Sequence, residues 1–210
     1  MSWNGGVFFI MINTRTSAQR RLNVRKMTLI GVLSSISIIM SMLPFIGYIP
    51  IGPIKATIMH IPVIIGAIIE GPLVGAIIGL IFGLTSLWSA ITQPVLLSPL
   101  FYNPLVSVLP RVLIGVVAYY VFQGVYKVIK NIYASGFIAG IVGSLVNTAG
   151  VLGMIYILYA DKYLALIEQQ GSSAAKLLFG IVLTSGIPEA LVAGLIVSAV
   201  SVALIRKGKK

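Results

Sequence analysis

Residues Gly71–Ala90 read GPLVGAIIGLIFGLTSLWSA. The stretch carries no charge, and its one proline sits at the second position. At about 1.5 Å per residue, a helix of this length matches the ~30 Å hydrocarbon core of a bilayer. Its glycines fall at 71, 75, 79 and 83. That four-residue repeat puts a side-chain-free groove along one helix face, where a neighbouring backbone can approach closely.

Five further apolar stretches flank it: Val24–Leu43, Ala56–Glu70, Leu105–Tyr126, Ile132–Leu158 and Ala174–Ile205. The expected fold class is an all-α integral membrane protein with six transmembrane helices. Composition supports this. Of 210 residues, 58% are hydrophobic and 9% charged, against about 25% charged in an ordinary soluble domain. Too little polar surface exists to cover a water-facing globule. Disorder is excluded by the hydrophobicity. An outer-membrane barrel is excluded because the apolar runs are continuous rather than alternating. With no cysteine, disulfides, thiolate metal sites and cysteine nucleophiles are excluded too.

There are 15 Lys and Arg against 4 Asp and Glu, a formal charge of +11. Such a balance in a soluble chain points to nucleic acid. Here the basic residues sit at the margins of apolar runs, which is how membrane topology is written, and no nucleic-acid partner is expected. Placing the N-terminus in the cytoplasm puts 11 basic residues inside, among them Arg15, Arg20, Arg21, Arg25, Lys26, Lys127 and Lys130. Only 4, Lys55, Arg111, Lys162 and Lys176, then fall outside or in the outer half. The division is a basic cytoplasmic segment (1–23), a six-helix membrane domain (24–206) and a basic cytoplasmic tail (207–210). Met1–Asn13 is too short to span and lacks the basic start of a signal peptide. It reads as an interfacial segment or as the product of an early start site, with Met11 the alternative initiator.

Two linkers on the outer side depart from solvated loops. Residues 44–53, PFIGYIPIGP, hold three prolines and two glycines, which forbid a regular helix, yet the segment is apolar. The adjoining stretch Ala56–Glu70 has 15 residues, which as a helix reach only about 22 Å. Residues 92–104 form the second linker. Non-helical backbone at membrane depth is tolerated where it lines a cavity, so the expectation is apolar outer loops covering an outward-facing pocket. The inner turn Glu70-Gly71-Pro72 is tight by contrast.

Polar groups inside apolar runs are expensive and mark function by default. The candidate substrate-binding residues are Arg111, Asn147, Asn103, His60, Glu189, Gln93 and Trp88. Arg111 offers a planar fork to a carboxylate or phosphate; its alternative is an internal ion pair with Glu189. Asn147, Asn103 and Gln93 supply neutral hydrogen bonds. His60 reads equally as a packing histidine, and Trp88 as an interfacial aromatic at ligand depth. Pro188 cannot donate to the carbonyl of Thr184, which frees an acceptor there. Glu70 reads as a solvated helix-end charge. Small residues also recur at Gly136, Gly140 and Gly143, and at Ala190, Gly194 and Ser198. Each such stripe is a packing seam or a docking face, and Gly31, Ser34 and Ser35 on the first span are the candidate docking face for a membrane partner.

No catalytic arrangement is present. A single histidine excludes the paired-histidine zinc motif, and the phosphate-cradling GxxxxGK[ST] is missing. No enzyme activity, metal or cofactor is expected, and ATP must be hydrolysed elsewhere if it is used.

Several stretches resemble the substrate-binding S components of energy-coupling factor (ECF) vitamin transporters. They are His60-Ile61-Pro62-Val63-Ile64-Ile65-Gly66, then Glu70-Gly71-Pro72 and Gly75-Ala76-Ile77-Ile78-Gly79-Leu80. The run Asn103-Pro104-Leu105-Val106-Ser107-Val108-Leu109-Pro110-Arg111 leading into Gly115-Val116-Val117-Ala118-Tyr119-Tyr120 is similar too. The resemblance covers about residues 20–206 and is nearest to the pantothenate branch. It implies a multi-pass protein of the cell membrane that binds a small vitamin without a motor of its own. Its implied partners are a transmembrane coupling subunit and two ATPase subunits, whose ATP hydrolysis tilts the S component to release substrate inside. Family members carry an Ala-xxx-Ala pattern on the first helix for docking, and the matching place here reads Gly31-Val32-Leu33-Ser34-Ser35. The alternative is a self-sufficient small-molecule carrier or channel; a membrane enzyme or assembly factor stands behind it.

Overall fold

The chain reverses at Gly71, whose φ of 102° and ψ of 173° lie where only glycine sits without strain. Pro72 then opens the next helix at a position whose N–H has no intrahelical partner. This turn anchors the architecture. The structure, a computed structural model, describes residues 5–43, 48–51, 54–169, 171 and 173–207. Helix α1 is Gly5–Met42, followed by the strands β1 (Tyr48–Ile51) and β2 (Ile54–Thr57). Helices α2 (Ile61–Glu70) and α3 (Pro72–Thr92) come next, then two single turns, α4 (Ser98–Phe101) and α5 (Pro104–Ser107). Helix α6 is Leu109–Ile129 and α7 is Ile132–Leu166. Last come α8 (Ala174–Ile181), a π-helical turn (Val182–Gly186) and α9 (Ile187–Lys207).

Among the described residues, five helical stretches are long and apolar enough to cross a membrane, and α2 is a shorter apolar helix. The fold is therefore an all-helical membrane bundle with one small hairpin. The sixth stretch differs from expectation. Ala56 and Thr57 belong to β2, paired antiparallel with Ile49 and Tyr48, so α2 begins only at Ile61 and has 10 residues. Isoleucines on both strands, with Tyr48 on β1 and Thr57 on β2, favour extended backbone. Pro50, which has no N–H to donate, is tolerated in a strand with a free edge. Of the outer linker, residues 44–47 and 52–53 lie outside the described residues.

Helix α2 is apolar on every side, and Ile61 through Ile68 are all buried. A helix without a polar face belongs inside. It is the axis of the main core, where Val63, Ile64, Ile78, Ile114, Ala139 and Val197 pack. Because α2 is short, the volume above its first residue is not filled by helix. A second cluster (Leu100, Val106, Val151, Ile155, Tyr163 and Leu178 among its members) joins α4, α5, α7 and α8.

Small residues let the long helices approach. A Cβ on Gly75 would lie 3.0 Å from the Cα of Gly115, and one on Gly83 would lie 2.7 Å from the Cα of Val108. These contacts join α3 to α6. A Cβ on Gly140 would lie 2.7 Å from the Cα of Gly194, and one on Gly136 3.0 Å from the Cα of Ser198, which joins α7 to α9. The glycine stripes of the third, fifth and sixth spans are thus internal seams. Lipid is as apolar as leucine, so such close backbone packing supplies much of the association.

At the Glu70 end, Arg25 Nε lies 2.9 Å from Glu70 Oε1. The Glu70 side chain is largely buried and that of Arg25 exposed. Glu70 is thus an ion-paired staple between α1 and α2, and not the freely solvated charge expected. Helix α7 runs eight residues beyond the expected Leu158, bending at Tyr159, whose φ and ψ are −143° and 27°.

Candidate functional site

Arg111 lies in the first turn of α6, after Pro110, and is only 7% exposed. Its Nη1 donates to the carbonyl of Val106 at 2.8 Å. Its guanidinium carbon stands 5.7 Å from the ring centroids of both Phe82 and Phe101. Two aromatic faces and a carbonyl hold the positive charge away from lipid. Position follows from Gly79 on α3: a Cβ there would run into the Arg111 backbone carbonyl. The missing side chain therefore sets how near α6 lies to α3.

Arg111 opens on a cavity of about 480 Å³ above the start of α2. This is within the usual size range of small-molecule sites. Of the residues singled out from sequence, Arg111, Asn147, Glu189 and Gln93 line it, as do Thr148 and Ser185 beside them. Helices α3, α6, α7 and α9 are thereby represented on one wall or another. Thr57 of β2 and Met59 close the hairpin side.

The carboxylate arrives by a distortion of the last span. Pro188 has no N–H, and the preceding residues 182–186 form a π-helical turn in which Ile187 N–H reaches Val182 O. Proline within an apolar run and a wide turn just before it are a common pairing, because the turn absorbs the lost bond. It brings Ser185 and Gly186 to the cavity wall. Thr184 takes another course: it is exposed, and its hydroxyl donates to Gly180 O at 2.9 Å. Glu189 follows in the first turn of α9 and is 6% exposed. Thr57 presents its side chain and backbone amide to this carboxylate.

Three candidates stand elsewhere. His60 is fully buried and lies behind the wall, with Nδ1 3.6 Å from Glu189 Oε1. Among the described residues Glu189 is met by Thr57 and faces His60; an Arg111 pair was the sequence alternative. Asn103 caps α5, its Oδ1 accepting from Leu105 N at 2.9 Å, and its Nδ2 donates to the Tyr159 hydroxyl at 3.2 Å. It braces the loop at the bend of α7 and does not line the cavity. Trp88 is 61% exposed and outside the cavity lining, facing the surroundings of the bundle.

Sequence reasoning passed over Ser86 and Ser89, which line the cavity with Gln93. Their spacing of three and four places them on one helix face, and polar residues so aligned within an apolar span were the available signal. Ser41 and Ser98 also line it; lone serines beside linkers give no such signal.

On the candidate docking helix, Gly31 and Ser35 are exposed, with Ser35 Oγ donating to Gly31 O at 2.8 Å. A Cβ on Gly31 would meet nothing within 4 Å. Ser34 differs: it is 4% exposed and turned into the bundle, so it belongs to the interior.

The sequence matches the family "ECF transporter, substrate-specific component" over residues 25–205. It is 32% identical over 170 residues to the pantothenic acid transporter PanT of Lactococcus lactis subsp. cremoris, covering 73% of this chain and 80% of that protein. It is 33% identical over 129 residues to the pantothenate transporter PanT of Leuconostoc mesenteroides subsp. mesenteroides, covering 56% of this chain and 61% of the relative. Transport rather than enzyme catalysis is the business of this family. An apolar bundle holding a small-molecule-sized cavity with polar groups set in a largely apolar wall suits such a task, and the chain belongs to the substrate-specific components of ECF transporters.

Proposed function

We propose that this chain binds pantothenate from outside the cell and delivers it inward when docked on an ATP-driven coupling module. The observation that carries the reading is Arg111: a nearly buried cation on the wall of a 480 Å³ cavity. Pantothenate is a small acid, and a guanidinium receives a carboxylate through two parallel hydrogen bonds. Asn147, Ser86 and Ser89 on the same cavity suit its amide and hydroxyl groups. The names carried by the two relatives point to the same ligand.

The chain resides in the cell membrane with both ends cytoplasmic, in keeping with the basic asymmetry of its loops. The hairpin and the cavity then face outward. The partners are a transmembrane coupling subunit and two ATPase subunits. Helix α1 offers them Gly31 and Ser35 on its open face, where small residues permit close helix approach. Mass spectrometry of small molecules released from the purified protein tests the ligand: pantothenate is expected, and a different resident vitamin would overturn the assignment. Uptake by cells lacking the coupling module should be absent; uptake without it would indicate a self-sufficient carrier.

A further inference from the structure

Two aromatic rings meet the Arg111 guanidinium, and they come from different parts of the core. Phe82, on α3, is 3% exposed and belongs to the main cluster. Phe101 ends the single turn α4 in the second linker and packs against the second cluster. The guanidinium carbon lies over both rings, 5.7 Å from each centroid, and all three residues line the cavity. Val106, whose carbonyl accepts from Nη1, is a member of the second cluster as well. The cation thus stands where the two clusters meet, on the cavity wall. Its seat follows from helix spacing. Gly79, against which the Arg111 carbonyl packs, lies three residues before Phe82 on α3. Residues three apart share a helix face, so the seam that sets the distance between α3 and α6 also brings Phe82 to the guanidinium.

We propose that Phe82 and Phe101 are positioning residues, an aromatic clamp that holds the Arg111 charge in place for the carboxylate end of an acidic ligand. This rests on the proposed function for the identity of that end and adds how the cation is kept ready for it. A carboxylate beside a buried arginine would cancel its charge. A ring face attracts the cation through its quadrupole and leaves the net charge standing. The rings also keep water from the guanidinium, and attraction between opposite charges is stronger where water is excluded. Because Phe101 belongs to the linker and Phe82 to a long helix, the clamp closes only when the linker is seated on the bundle.

The test is titration calorimetry of the purified full chain with pantothenate and with its uncharged carboxamide analogue. The readout is the preference for the carboxylate, a ratio that a general loss of packing does not move. Phe101→Leu, which removes the ring, should narrow that preference by about threefold to thirtyfold, the range for one cation–ring contact. Phe101→Tyr, which keeps the ring, should retain it. In an Arg111→Ala background, Phe101→Leu should narrow the ratio no further. Phe82→Leu should act in the same direction as Phe101→Leu. Phe101, only partly buried, carries the test on its own if Phe82→Leu does not fold. Equal losses for both ligands in Phe101→Leu, an unchanged ratio, or a ratio lost as fully in Phe101→Tyr would overturn the clamp while Arg111→Ala still abolished the preference. A preference that survives Arg111→Ala, or an unmodified chain without one, would overturn the reading of Arg111 in the proposed function, and the clamp with it.

Discussion

Asn103 shows how one side chain can matter to a site without touching it. Its oxygen caps the turn Pro104–Ser107 and its amide nitrogen reaches Tyr159, at the bend of α7. Asn103→Ala should lower stability by about 1 kcal/mol, the usual worth of such a cap. Thermal melting in detergent measures it; an unchanged melting temperature would remove Asn103 from the framework. Gly71→Ala should cost about 1–3 kcal/mol, since alanine cannot occupy its φ and ψ without strain, and the same assay reads it. At this scale Arg111 was legible as a cation inside an apolar run. The place of His60 behind Glu189 was not, because it depends on how the start of α2 meets α9, two elements more than a hundred residues apart in the chain.

At the scale of elements, glycine spacing revealed which helices pack closely but not which partner each meets. The α7–α9 seam brings Gly140 against Gly194. A leucine at Gly140 meets backbone there, so Gly140→Leu should destabilise by about 1–3 kcal/mol or more, as overpacking does; a shift in melting temperature measures it. The hairpin escaped sequence reading because short strands broken by proline and glycine look like a loop. The wide turn before Pro188 was half legible, as a freed carbonyl without its geometry. On α1 the face that carries Gly31 and Ser35 is open. Ser35→Trp, pointing outward, should reduce uptake while the isolated protein binds ligand as before. An equal loss of binding would put Ser35 in the fold instead.

The whole molecule has basic residues at one end and the cavity that Arg111 lines toward the other. A reporter active only outside the cytoplasm, fused after Lys210, should be silent; strong activity would invert the orientation. The bundle and a cavity at its linker end followed from hydropathy and linker composition, which act locally along the chain. The cavity's full lining did not, because it is assembled by long-range packing from α1, α3, α4, α6, α7, the last span and the hairpin. The most direct measurement of the central claim is titration of the purified chain and of Arg111→Ala with pantothenate and with its uncharged carboxamide analogue. Pantothenate binding should weaken by about 2–5 kcal/mol in the variant, the cost of unpairing a buried hydrogen-bonded charge, with the carboxamide bound alike by both proteins. Equal losses for the two ligands would contradict the account, making Arg111 a structural residue that does not read the ligand's charge.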